Sequence, residues 1–206
     1  MGRPLERLHL VSYVKRFSRT ERTVHWVNAA AFLLLLFTGL ALYIPSIEVL
    51  LGRRPLLKDI HFWTGVCWLP ALAVVALLGD RRGLLATARD LDRFRPSRFN
   101  VGQKINAIVT AAFTVLFTIS GLLLWFGERD TRFRFASTVV LHDGLFFAAF
   151  VLFVGHLYLA LIHPATRHSL RGMTVGTVSE EWADEHYPRW KVSDTASAVS
   201  DTRGSA

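Results

Sequence analysis

Four histidines, His25, His61, His142 and His156, stand in or beside long apolar stretches, where an ionisable side chain is costly unless it has a partner. Neutral imidazole is a metal ligand, and a b-type haem in a helical bundle takes one axial imidazole from each of two helices. His142 and His156 share one stretch and are 14 residues apart. On an α-helix that is about 3.9 turns, so both rings leave nearly the same face, roughly 21 Å apart along the axis. Such a spacing serves two metal centres near opposite faces of a membrane. Of the remaining histidines, His163 and His168 follow the last apolar stretch and read as interfacial, while His9 and His186 read as exposed polar residues.

The elements that must position these rings are legible from hydropathy. The chain has 206 residues, 51% of them hydrophobic, concentrated in four runs: Val24–Ile44, Ile60–Leu78, Ile105–Phe126 and Val140–Ile162. Each is close to the ~20 residues that cross a ~30 Å hydrocarbon core. None of the 24 Lys and Arg residues falls inside them. The expected class is an all-α integral membrane protein, a four-transmembrane-helix bundle able to bind two b-type haems.

The net charge of +8 is not a nucleic-acid signature, because its distribution follows the spans. Residues 1–22 carry six Lys/Arg, 79–104 carry seven and the C-terminal segment five, whereas 45–59 and 127–139 carry three each. The positive-inside rule therefore places both termini and the central loop in the cytoplasm, with basic residues as topology determinants and lipid-headgroup anchors. The single Cys67 excludes an internal disulfide and a Cys-held iron–sulfur cluster, and reads as a small buried hydrophobe. No cleavable leader is apparent, and the first span is expected to act as its own uncleaved signal.

Topology sorts the histidines by depth. With the N-terminus inside, His25 lies at the inner end of its span and His61 at the outer end of the next; on the fourth span His142 is outer and His156 inner. Two pairs result, His25/His156 inner and His61/His142 outer, which fits one bis-histidine haem near each face. Gly39, Gly65, Gly121 and Gly155 within the spans suit either close approach of a flat macrocycle or ordinary tight helix packing. Arg19, Arg22 and Lys104 suit haem propionates or topology alone. Asp143 suits either a hydrogen-bond acceptor for its neighbour His142 or a helix-dipole acid.

Four segments organise the chain. Residues 1–23 form a cytoplasmic N-terminal segment with an amphipathic look, ended by Ser18 or Thr20 as a helix cap. Residues 24–162 are the transmembrane domain. Within it Pro45 ends the first helix, Gly52 and Pro55 mark a short outer loop, and 79–104 has helical character at Leu84, Leu85, Ala88 and Leu91 before Pro96. Residues 163–192 form a cytoplasmic segment whose Trp182, Tyr187 and Trp190 predict some packing. Residues 193–206, rich in Ser, Ala and Asp, read as a disordered tail.

Beyond these patterns, RTVHW at 22–26, KDIHFWTG at 58–65, FNVGQK at 99–104, LHDG and GHLYLA around His142 and His156, and RGMTVGTVSEEWADEHYPRW at 171–190 carry a resemblance. Over about residues 12–191 the chain resembles the cytochrome b (gamma) subunit of membrane-bound respiratory formate dehydrogenases. The resemblance implies four transmembrane helices in a bacterial inner membrane, and two haems b whose ligands fall at His25, His61, His142 and His156. It implies an iron–sulfur (beta) subunit as electron donor, a molybdenum or tungsten catalytic (alpha) subunit beyond it, and a trimer of heterotrimers as one admissible assembly. It also implies a quinone site, for menaquinone or ubiquinone, beside the inner haem, with Asn100, Gly102 and Gln103 matching its loop. Asn and Gln amides and backbone N–H groups are the donors a quinone carbonyl needs, while Asn100 alone would read as a plain N-cap. The tail departs from the pattern in having Tyr187 where a second His often stands, and the central loop is short.

The expected function is thus a quinone-reducing electron-transfer and anchoring subunit of a formate dehydrogenase complex, with no formate-oxidising site of its own. The alternatives are the cytochrome b subunit of another respiratory complex, such as a nickel–iron hydrogenase or thiosulfate reductase, or a haem-free membrane anchor.

Overall fold

The computed structural model describes residues 12–92, 97–188 and 190. The expected tail at 193–206, the first part of the N-terminal segment and Pro96 lie outside the described residues. Strand β1 (Tyr13–Lys15) leads into α1 (Arg19–Tyr43). Then follow α2 (Pro45–Leu51), α3 (Arg54–Leu78), α4 (Arg81–Asp92), α5 (Val101–Gly127) and α6 (Ala136–Leu157), which runs on into a π-helical turn, Tyr158–Ile162. Last come α7 (Leu170–Thr174), β2 (Thr177–Ser179) and α8 (Glu180–His186).

Four of these helices are long and apolar enough to cross a membrane: α1, α3, α5 and α6 with its π turn. Their outward faces are apolar, with Phe37, Leu77, Ile119 and Val151 among many exposed side chains, the arrangement expected when lipid rather than water surrounds a bundle. All four helices begin four to six residues before the expected spans, and at α1 and α5 capping chemistry rather than hydropathy sets the start. Ser18 accepts from Glu21 N–H (3.2 Å) while the Glu21 carboxylate accepts from Ser18 N–H (2.7 Å), a capping box that opens α1. Asn100 and Gln103 repeat the device at α5 (2.8 and 3.1 Å).

In the bundle α1 packs along α3 and α5 along α6, with α3 bridging to α5. The one strongly polar side chain midway in α1, Asn28, accepts from the Trp68 indole of α3 (3.1 Å), which gives its amide oxygen a partner inside the bundle. Cys67, expected to be buried, is exposed, because its side of α3 faces away from the other helices. α1 ends at Tyr43, just before Pro45 as expected, and Pro45 also begins α2, which occupies the anticipated outer loop; proline is well suited to a first helical turn, where no N–H is needed.

At the end of the bundle that holds both terminal segments sits a small cap. β1 pairs antiparallel with β2, Tyr13 opposite Ser179 and Lys15 opposite Thr177, where an amphipathic surface segment had been expected. Val14 and Val178 turn to one face and bury against Trp182, Ala183 and Tyr187, a hydrophobic core separate from the bundle. Gly176 (φ +98°) turns the chain into β2, and its carbonyl accepts from the N–H groups of both Arg16 (2.8 Å) and Phe17 (3.1 Å). A side chain there would be strained in backbone and would meet the Phe17 carbonyl at 3.0 Å.

Candidate haem sites

The bundle brings the four histidines together two by two. At the cap end the His25 ring of α1 faces His156 of α6, with ring centres 6.3 Å apart. At the far end the His61 ring of α3 faces His142 of α6, again at 6.3 Å. No other pairing of the four occurs, and these are the two pairs that the sequence led us to expect.

The far-end pair is held from behind by hydroxyls that the sequence reading overlooked. Thr38 of α1, buried in the bundle, donates its hydroxyl proton to the Leu34 carbonyl (2.7 Å) and lies 2.8 Å from His61 Nδ1. Ser120 of α5, only 1% exposed, donates to the Leu116 carbonyl (2.7 Å) and lies 2.8 Å from His142 Nδ1. A glycine follows each hydroxyl. A Cβ on Gly39 would stand 3.2 Å from His61 Cε1, and one on Gly121 would stand 3.6 Å from His142 Cε1. The signal was present as a short repeat, Thr38-Gly39-Leu40 and Ser120-Gly121-Leu122, one copy on each helix that lies beside a histidine-bearing partner.

Between these rings lies a cavity of about 390 Å³, walled by Phe32, Leu36, Val66, Phe117 and Phe146 and reaching Arg54, Lys58 and Glu128 at its far end. Lys58 donates to both Glu128 oxygens (2.7 and 2.6 Å), joining α3 to α5 at that mouth. Asp143 lines the same cavity, but the ring nitrogen it was expected to orient is held by Ser120.

The cap-end pair is held differently. His25 Nδ1 is buried and has no hydrogen-bond partner among the described residues, while His156 is exposed. Stability comes from their neighbours: the Trp26 indole donates to Met173 O (3.1 Å) and Arg22 to Thr174 O (2.6 Å), pinning α1 to α7. Lys104, expected at a propionate, is fully buried on the Asp90 backbone and carboxylate, because its side chain folds back towards α4. Nearby, Arg98 ties the cap to the bundle by bonds to Glu21 (2.8 Å), Thr87 (2.7 Å) and the Arg16 carbonyl (2.9 Å).

Arg16 lies only 1% exposed, its guanidinium 4.3 Å from the Tyr187 ring and 5.2 Å from those of Phe17 and Trp182. Burial lowers its pKa from the ordinary arginine value, and Tyr187 acts in the opposite direction. Tyr187 also donates its hydroxyl to Gln103 (3.3 Å), so the cap touches the start of α5, where Asn100, Gly102 and Gln103 lie.

A helical membrane bundle with histidine pairs at two depths defines a class, the membrane cytochromes b. The chain belongs to the prokaryotic cytochrome b561 family, which matches residues 16–176. It is similar to the formate dehydrogenase cytochrome b556(fdo) subunit of Escherichia coli (strain K12), 27% identical over 197 residues that cover 86% of this chain and 91% of the relative. It is also similar to the formate dehydrogenase cytochrome b556 subunit of Haemophilus influenzae, 26% identical, covering 85% of this chain and 81% of the relative. The nitrate-inducible cytochrome b556(Fdn) subunit of E. coli K12 is 24% identical, with 82% and 86% covered.

Membership of a cytochrome b family implies haem b, and the residues present fit it. A metal ion held between two imidazoles by bonds of about 2 Å would stand them with ring centres roughly 6 Å apart. Both histidine pairs have that separation. The donor set is two neutral rings per site, the type a b haem uses.

Proposed function

We propose that this chain is the di-haem cytochrome b membrane subunit of a formate dehydrogenase complex, passing electrons from an iron–sulfur subunit to quinone and anchoring the complex in the bacterial inner membrane. The observation that carries the reading is the pair of equal 6.3 Å imidazole separations at the two ends of one four-helix bundle. The named relatives support the partner, as does the 171–190 motif, most of which builds β2, α8 and their packing against β1 and lies partly beyond the family match.

Bound haem supplies a one-electron iron couple at each pair of rings. The chain's part is to hold two pairs at fixed depths, to exclude water from the aromatic-walled cavity, and to present donors to the quinone. With both termini cytoplasmic, His61 and His142 lie outside and His25 and His156 inside. Charge carried inward works against the membrane potential at about 2.3 kcal/mol per 100 mV, so the outer site must be the stronger reductant.

At the inner face Asn100, Gly102 and Gln103 are the proposed quinone contacts. The capping box uses the side-chain oxygens of Asn100 and Gln103 as acceptors, which leaves both amide NH2 groups as donors for a quinone carbonyl.

The test is haem content per polypeptide of the purified complex by pyridine haemochrome, with identification of the co-purifying subunits. Two haems b with a molybdenum or tungsten subunit and an iron–sulfur subunit is the expected result. One haem would remove a histidine pair, and none would leave an anchor. Hydrogenase or thiosulfate reductase subunits in their place would move the same cytochrome to another complex.

A further inference from the structure

Thr38 and Ser120 make the far-end histidine pair chemically unlike the cap-end pair. A hydroxyl has one proton. In both residues that proton is directed at the carbonyl four positions earlier on the same helix, Leu34 O and Leu116 O, each at 2.7 Å. The oxygen therefore faces the imidazole as an acceptor, and the 2.8 Å contacts are donated by His61 Nδ1–H and His142 Nδ1–H. That fixes the tautomer of both rings: Nδ1 holds the proton and Nε2 keeps its lone pair for a metal. The opposite assignment would need a hydroxyl proton that the backbone has already taken.

We propose that Thr38 and Ser120 are positioning residues that hold His61 and His142 as Nδ1 donors and thereby give the outer haem site its lower reduction potential. The inference rests on the di-haem reading above. An Nδ1–H that donates makes the ring a stronger electron donor through Nε2, and an electron-rich ligand favours the oxidised metal. Both rings of the outer pair have this support. In the inner pair, His25 Nδ1 lies buried with no partner among the described residues. The asymmetry sets the two sites in the order that inward transfer requires. Gly39 adds to the device at His61, since it admits the ring edge that a Cβ would crowd at 3.2 Å, whereas a Cβ on Gly121 would make ordinary contact with His142 at 3.6 Å.

The experiment is a spectroelectrochemical titration of the purified complex, wild type against Thr38→Val and Ser120→Ala, with haem content measured on each. The expected result is two haems per chain, an upward shift of the lower-potential component in either variant, a larger shift in the double variant, and a higher-potential component that stays in place. Thr38→Ser should restore the wild-type curve. Thr114→Val is the control: Thr114 is equally buried and bonds back to Thr110 O (2.9 Å) without touching a histidine, so both components should stay in place. Should Thr38→Val lose one haem, retention of that haem with its wild-type potential in Thr38→Ser supports the same role. Two haems and unmoved potentials in both single variants overturn the inference and leave the di-haem reading standing, as does a shift of the higher-potential component alone. A wild-type complex with fewer than two haems overturns the di-haem reading itself.

Discussion

The two histidine pairs share one ring separation and differ in what stands behind the rings. At the far end each Nδ1 rests on a hydroxyl whose own proton is spent inside its helix, so local helix geometry sets the ring. At the cap end the rings have no such backing among the described residues, and α1, which carries His25, is fixed by bonds from Arg22 and Trp26 to a segment about 150 residues away in sequence. One site is thus held by contacts between crossing helices adjacent in sequence along the bundle, the other by closure between distant parts of the chain. Perturbing the cap should disturb the His25/His156 pair and spare the His61/His142 pair.

The largest effects come from removing the rings themselves. His61→Ala or His142→Ala should halve the haem content and block electron entry, whereas His25→Ala or His156→Ala should remove the other haem and stop quinone reduction; difference spectra at two poised potentials separate the cases. Next is Trp182→Ala. Its indole is buried against Val14 and Tyr187 and donates to Ala165 O (3.0 Å), and the truncation should cost the cap about 3–5 kcal/mol. Limited proteolysis within 177–188 should accelerate, with the haem proposed at His25 and His156 losing its native spectrum before that at His61 and His142.

Smaller changes sharpen the contrast. Gly39→Ala places a methyl 3.2 Å from His61 Cε1 and should cost about 1–3 kcal/mol at the outer site, seen as faster haem loss. Gly144→Ala, with nothing within 4 Å, should be silent there. The smallest effect on stability is that of Asn100→Ala, about 1 kcal/mol from the lost cap. Quinone turnover should nevertheless slow while both haem spectra stay intact; loss of a haem instead would make the loop structural.

Hydropathy was enough to find the four crossing helices, because twenty apolar residues in a row have few other uses. The histidines and their pairing were legible for the same reason, since an imidazole in hydrocarbon needs a partner and direction of travel orders the depths. Thr38 and Ser120 were not, because a single hydroxyl in an apolar helix satisfies itself on its own backbone and leaves no mark on hydropathy. The β1–β2 pair was hidden for another reason. Strands of three residues are too short to show a period, and their partner lies at the other end of the chain. The fate of Lys104 depended on where α4 carries Asp90, which no local pattern encodes.

The pairing of Tyr13 with Ser179 also sets an order of events during synthesis. β1 leaves the ribosome first and waits for β2, which emerges only after all four crossing helices have been made. Until then the cap lacks its second strand, and α1 lacks the bonds that Arg22 and Trp26 make to α7. The strand pair is a latch between a segment before the first crossing helix and one after the fourth, so that closure of the cap reports that all four have been made.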